Sequence, residues 1–261
     1  MSTGIVPFNA CCKQIPPLKN PVFISDLHLS QDKPRTMVAF INFMESIAPR
    51  FNELLILGDL FEFWAGDDHA ESYRDVLLAL RKFSDSGRPL YIMHGNRDFL
   101  LGKDFSQLTG AVLIQDPIRV RNGIENILLA HGDVWCTADP EYQEFRATLR
   151  NPDVQRAILS EKLEYRIDLA NSLRTQSRQD NSQKSTEKMD VVISEVTKAS
   201  HRADSHILIH GHTHKPGHMT HFIDDFRLDR WVLPDWDFDC DTPRGGYLSF
   251  ENEYLHFGHL V

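Results

Sequence analysis

The chain has 261 residues, 41% of them hydrophobic and 25% charged, enough for a sizeable core in one large or two small domains. A net charge of −9 with no long basic run excludes general nucleic-acid binding, and no apolar stretch approaches the ~20 residues that span a bilayer. The N-terminus lacks the basic and apolar regions of a signal peptide. Four cysteines (Cys11, Cys12, Cys136, Cys240) form neither a C-x-x-C pair nor zinc-finger spacing, so reduced thiols in a cytosolic chain are expected.

Residues 1–20 contain prolines and no periodicity, and read as a loosely held arm. Within it Cys11-Cys12 leaves two readings open, ordinary terminal residues or a lipidated or metal-binding clip. Val22-Phe23-Ile24-Ser25 then reads as a short buried strand leading into Asp26-Leu27-His28. Between 30 and 50, Met37, Phe40, Ile41, Phe43 and Met44 fall at helical spacing. Leu54-Leu55-Ile56-Leu57 is a second strand; Gly58 ends it and presents Asp59 at the carboxyl edge, where open α/β sheets bind ligands. Val76, Leu77, Leu80 and Phe83 mark a helix that Ser84-Asp85-Ser86-Gly87 stops. Leu90-Tyr91-Ile92-Met93 leads into His94-Gly95-Asn96-Arg97-Asp98, and Ile127-Leu128-Leu129-Ala130 into His131-Gly132-Asp133. This alternation predicts a layered α/β core.

The stretch 135–203 has another character. Tyr142, Phe145 and Leu149, then Leu163, Ile167 and Ala170, keep helical spacing, and residues 146–188 hold nine Arg/Lys against six Asp/Glu. Two compatible readings stand: a solvated helical insertion, and a cap that grips an anionic, partly apolar substrate. Ile207-Leu208-Ile209 then leads into His210-Gly211-His212-Thr213-His214. Beyond it, Gly, Pro and Asp punctuate short strands such as Arg230–Leu233 and Gly246–Phe250, for which antiparallel pairing is expected. The division is an arm (1–20), a core (21–134 and 204–261) and a helical cap insertion (135–203).

Five apolar runs thus end in Asp, Asn or His, donors that bind hard or borderline divalent metals. Singly, Asn96 reads as a turn residue and His131 or His212 as a hydrogen-bonded core histidine. Their recurrence argues for one shared metal site. Phe61, Phe63 and Trp64 read as core rather than acyl-chain contacts.

The blocks Asp26-Leu27-His28, Gly58-Asp59, Gly95-Asn96-Arg97-Asp98, His131-Gly132-Asp133 and Gly211-His212-Thr213-His214, in this order, resemble the calcineurin-like metallophosphoesterase superfamily. The resemblance implies an α/β fold, a layered αββα sandwich with a helical cap insertion. It also implies two metals bridged by Asp59, one completed by Asp26, His28 and His214, the other by Asn96, His131 and His212. His94 and His210 fall outside that ligand pattern and read as core or supporting residues. Longer blocks, Ser25–Leu29, Gly58–Trp64, Tyr142-Gln143 and His210–Pro216, are similar to one branch, the UDP-2,3-diacylglucosamine pyrophosphohydrolases of the lipid A pathway in Gram-negative bacteria. That likeness covers roughly Pro21 to the C-terminus. It implies water attack at the α phosphorus of a lipid-linked UDP-sugar, with Asp59, Asn96, Arg97 and His131 catalytic. It further implies two Mn2+ per chain, where the ligand set alone also admits iron or zinc, and peripheral contact with the cytoplasmic face of the inner membrane. Substrate contacts would come from Asn96, Arg97, Asp139, Ser177, Asn181, Lys184 and His212. Ser177, Asn181 and Lys184 lie at i, i+4, i+7, one face of a helix; without the resemblance they read as a solvated face.

Arg97 departs from the broad superfamily, which places a histidine after the asparagine as the acid for an alkoxide leaving group. An arginine keeps its proton at any working pH and cannot serve as that acid. A phosphate leaving group, with a second pKa of about 6, hardly needs one. The guanidinium instead offers a planar fork to a phosphoryl oxygen. Cleavage between two phosphates is therefore favoured. The alternatives are another dinuclear-metal phosphodiesterase or nucleotide pyrophosphatase, which would share the core but not Arg97 or the cap residues, and a non-catalytic scaffold, which would be expected to lack ligands.

Overall fold

In the computed structural model, which describes residues 15–183, 188 and 190–260, side-chain alternation along the strands sets the layers. Strands β1 (Pro21–Ile24), β2 (Glu53–Leu57) and β3 (Leu90–Met93) are buried along their whole length. Successive side chains point to opposite faces, so Val22, Ile24, Leu54, Ile56 and Ile92 enter one core while Phe23, Leu55, Leu57 and Met93 enter another. Helices α1 (Pro34–Ser46), α2 (Arg74–Asp85) and α3 (Lys103–Thr109) close the first core with Phe40, Phe43, Val76, Leu80 and Phe105. Each such side chain contributes roughly 1.5–3 kcal/mol on burial. Phe61 and Trp64 belong to this core, as the sequence suggests.

The second core lies between two sheets. Strands β5 (Ile118–Asn122), β6 (Glu125–Ala130) and β7 (Ile207–His210) supply Val120, Ile127, Leu129 and Ile209 to it. On the outer face of β6 and β7, helix α7 (Ile193–Arg202) lays Val196 and Ala199 against Leu128, Ala130 and Leu208. The layers therefore run helix, sheet, sheet, helix.

With β4 (Val112–Ile114), β10 (Gly246–Glu251) and β11 (Tyr254–His259), one sheet has the order β11-β10-β1-β2-β3-β4; with β8 (Gly217–Ile223) and β9 (Phe226–Val232), the other has β5-β6-β7-β9-β8. β1 to β4 are parallel, and β10 and β11 antiparallel as expected. β9 differs from the expectation. It is antiparallel to β8 but parallel to β7, because β8 runs along the sheet edge and the hairpin at Asp224-Asp225 returns the chain between them. One consequence matters for function: the carboxyl ends of β1, β2, β3, β6 and β7 share one rim, where Asp26 N donates to Gly58 O at 3.1 Å and Gly211 N to His131 O at 2.9 Å.

Over this rim stand α4 (Pro140–Leu149), α5 (Pro152–Ser160) and α6 (Leu163–Gln183), of which α4 and α5 bury no residue. The sequence division 135–203 also contains α7, whose packing belongs to the second sheet. Arg166 of α6 is buried and holds the insertion to the core through Asp68 and the Ala65 carbonyl. Leu18 N donates to Arg121 O at 2.8 Å, tying residues 15–20 to β5, whereas Cys11 and Cys12 lie outside the described residues. Cys136 and Cys240 are free thiols. Among the described residues no helix is long and apolar enough to cross a membrane.

Candidate active site

Each of the five sequence blocks delivers its donors to the common rim, and the backbone there is held in conformations that non-glycine residues rarely adopt. Asp26, His28, Asp59, His212 and His214 all have φ between 48° and 66°. Such conformations cost of order 1–3 kcal/mol each and persist where surrounding structure enforces them. Close approach demands glycine beside them. A Cβ on Gly95 would stand 2.0 Å from Asp59 Oδ1, and one on Gly211 would stand 2.1 Å from Asp26 Oδ2.

The two oxygens of Asp59 face in different directions: Oδ2 lies 3.8 Å from His28 Nε2, and Oδ1 3.8 Å from His131 Nε2. Around the first, His28 Nε2 and His214 Nε2 are 3.3 Å apart, and His214 Nε2 is 3.6 Å from Asp26 Oδ1. Around the second, Asn96 Oδ1 is 2.9 Å from His131 Nε2 and 3.0 Å from His212 Nδ1. Asp26, His28 and His214 form one group of potential metal ligands, and Asp26, Asp59 and His131 another. The donor set fits divalent cations. His131 Nδ1 is 3.0 Å from Leu57 O, so its N–H donates there and Nε2, beside the Asn96 oxygen, is the nitrogen left to meet a cation once it has lost its proton.

The electrostatics agree. Burial pushes the Asp59 carboxyl well above its ordinary value, against the pull of His131. Burial opposes charge on His131 too, but Asp59, Asp133, Asp26 and Asp116 outweigh it and raise the imidazole to about 9. Burial and the charge of His131 instead hold His212 down to about 3. A buried excess of carboxylates that recruits a proton onto one histidine is a site suited to positive charge.

Several supporting residues carry no signal in the metal-ligand pattern. Asp98 accepts from Leu60 N and Gly95 N, both at 2.8 Å, and so staples the Asp59 loop to the Asn96 loop. Its place in Gly95-Asn96-Arg97-Asp98 was the available clue. Asp116 accepts from His131 N at 3.0 Å, and Asp133 pairs with Arg146 Nε at 2.8 Å. Neither partnership is legible in a linear sequence. His210, read as a supporting residue, is fully buried, and burial lowers it to about 4. His94 Nε2 lies 2.8 Å from Leu101 O.

A model of the calcineurin-like phosphoesterases matches residues 20–216. The chain belongs to that family. It is similar to proteins called UDP-2,3-diacylglucosamine hydrolase from Chromohalobacter salexigens, 44% identical over 82% of this chain and 88% of that protein, and from Bordetella pertussis, 39% identical over 94% and 96%. The protein of that name from Aromatoleum aromaticum is 41% identical over 84% and 90%.

In this phosphoesterase the insertion reaches the metal rim directly. The Tyr142 ring stacks on His212 with centroids 5.8 Å apart, Arg150 donates to Gly95 O at 2.9 Å, and Arg146 spans Asp133 and Asp116. Asp139 caps α4, its Oδ1 accepting from Tyr142 N at 3.1 Å, and is buried beside the rim. Arg97 N donates to Asp59 Oδ1 at 2.9 Å, which seats residue 97 against the Asp59 carboxylate. Ser177 and Asn181 fall on the backbone of α6, while their side chains, and Lys184 altogether, lie outside the described residues.

Proposed function

We propose that this phosphoesterase hydrolyses the pyrophosphate bond of UDP-2,3-diacylglucosamine in lipid A biosynthesis. The products are UMP and 2,3-diacylglucosamine 1-phosphate, formed by water attack at the α phosphorus. The observation that carries the substrate is the 39% identity over 94% of this chain and 96% of the B. pertussis hydrolase, a match through core and insertion alike.

We propose that the site would hold two Mn2+ per chain, one held by Asp59, Asp26, His28 and His214 and the other by Asp59, Asn96, His131 and His212. When bound, two divalent cations there would supply an activated water and relieve charge on the phosphoryl oxygens. The side chains do the rest. Asn96 and His131 fix the position of the reacting phosphate relative to Asp59. Arg97, anchored by its own N–H on Asp59, extends a fork of donors to oxygens that gain charge as the anhydride breaks. The leaving phosphate departs without a proton donor, in keeping with an arginine at this position. Asp139, Ser177, Asn181, Lys184 and His212 read the sugar and nucleotide. Because the substrate is a lipid, the enzyme works peripherally on the cytoplasmic face of the inner membrane. Phe145, Leu159 and Tyr165, exposed on α4–α6 among Arg156 and Lys162, suit that contact.

Incubation with UDP-2,3-diacylglucosamine and manganese should release UMP, chelation should stop it, and manganese should restore it. Absence of UMP with metal-loaded enzyme would overturn the assignment.

A further inference from the structure

Behind the histidines of the Asp26–His28–His214 group stand two carboxylates, and they are held from different parts of the molecule. His214 Nδ1 is 3.6 Å from Asp235 Oδ2, and Asp235 is held by Arg244 Nε at 2.8 Å, nine residues along the same segment. His28 Nδ1 is 3.4 Å from Glu62 Oε2, and the other oxygen of Glu62 is 2.7 Å from Arg174 Nε, on helix α6 of the insertion. Glu62 and His28 are both buried. The buried nitrogens His28 Nδ1 and Arg174 Nε make no aligned hydrogen bond, to Glu62 or to any other acceptor, so each meets the Glu62 carboxylate as an ion-pair contact. Local chain geometry makes the contact: Leu29 bridges Phe61, Glu62 N donates to Leu29 O at 3.0 Å, and the two metal-bearing loops run side by side.

From this we infer that Glu62 is a positioning residue that couples the cap to the metal centre, through the chain Arg174, Glu62, His28. The physical case rests on the two ends of one imidazole. His28 Nε2 faces Asp59 and His214, so it is the nitrogen that meets a cation; it can do so only as a lone pair, which puts the proton on Nδ1. A carboxylate charge 3.4 Å from Nδ1 favours the proton there and raises the basicity of Nε2. His131, in the other group, has only the Leu57 carbonyl in that place. One end of this relay sits on the insertion, so the seating of α6 sets how well Glu62 supports His28. By reciprocity, metal at that site favours the seated helix. Asp235, anchored by Arg244 within the core, gives the same kind of support without reporting on the cap.

This rests on the two-metal reading above, and the test separates the two. Manganese affinity and stoichiometry are measured by calorimetric titration of the full-length chelated protein, without substrate or turnover. Wild type should bind two Mn2+; failure at that step would sink the metal reading itself. Glu62→Gln keeps shape while removing charge, and should weaken one of the two sites by about 10–100-fold, the usual effect of losing such a partner, leaving the other unchanged. Arg174→Gln should weaken the same site to a smaller degree. The double variant should match Glu62→Gln alone, because the two residues act in series. Asp235→Asn should also weaken a site, but its effect should add to that of Arg174→Gln. Should Glu62→Gln lose its fold, judged by melting of the chelated protein, the Arg174→Gln and Asp235→Asn pair decides. Wild-type affinity in Glu62→Gln would overturn the inference. So would strict additivity of Glu62→Gln with Arg174→Gln, or an Arg174→Gln variant indistinguishable from wild type.

Discussion

The rim of the core and the cap above it are built by opposite means. The rim is made of backbone: strands buried on both faces, glycines at contacts a Cβ would block, and five candidate ligands held at positive φ. The cap contributes two helices with no buried residue, fastened by the guanidinium groups of Arg146, Arg150, Arg166 and Arg174 onto carboxylates and carbonyls of the core. A close-packed rim tolerates almost no displacement, which suits a pair of cations a few ångströms apart. A cap held by charge can yield, which suits a large substrate with a polar head and two acyl chains. We propose that the chemistry belongs to the rim and the choice of substrate to the cap.

The strongest way to break that division is to damage the rim alone. Gly95→Ala should abolish turnover, because its Cβ would fall 2.0 Å from Asp59 Oδ1 and 2.2 Å from Asp59 N. Asp59→Ala should do the same by removing the carboxylate proposed to bridge the metals while leaving the apolar layers intact. Both should be checked by metal content and circular dichroism; a Gly95→Ala protein that still holds two metals would show the rim to be more compliant than the account allows. Next in size, Arg97→Ala should cost on the order of 10²-fold in kcat, typical of losing one donor to a charge-developing oxygen. Equal activity on the lipid nucleotide would remove the chemical reason for preferring an anhydride.

Much of this was legible beforehand, for a physical reason. A short run such as Leu54–Leu57, buried on both faces, can only be an interior strand, and a Gly-Asp after it must emerge at the carboxyl edge. Five such runs placed seven candidate donors in one neighbourhood, and the structure brings Asp26, His28, Asp59, Asn96, His131, His212 and His214 together. What stayed hidden depends on tertiary pairing. Nothing linear joins Asp116 to His131, or Glu62 to Arg174. The direction of β9 was hidden too, since the same Arg-Trp-Val-Leu alternation serves a parallel or an antiparallel neighbour. The boundary of the cap was blurred because α7 has the amphipathic spacing of a surface helix whichever layer it covers.

The cap side of the comparison gives a smaller and more selective effect. Replacing Asn181 and Lys184 together with Ala should lower kcat/KM for the diacylated UDP-sugar by roughly 1.5–3 kcal/mol for a lost charged hydrogen bond. Metal content and slow hydrolysis of a small chromogenic phosphodiester should not change. A parallel drop on both substrates would move that face of α6 from the cap's role to the rim's. The mildest expected effect is on protonation. His131 is raised to about 9 in the chelated protein, so near neutral pH it carries a proton that a cation must displace. Manganese uptake should therefore release protons and weaken as pH falls. Calorimetry in two buffers of different ionisation enthalpy checks this, and equal apparent enthalpies would refute it.

The central claim is that the rim directs water to the α phosphorus of a UDP-linked lipid. Turnover in water enriched in oxygen-18, with manganese and UDP-2,3-diacylglucosamine, followed by mass spectrometry of both products, tests it most directly. The account predicts one labelled oxygen in UMP and none in the diacylglucosamine phosphate. Label in the lipid phosphate with unlabelled UMP would place the attack on the other phosphorus and contradict it.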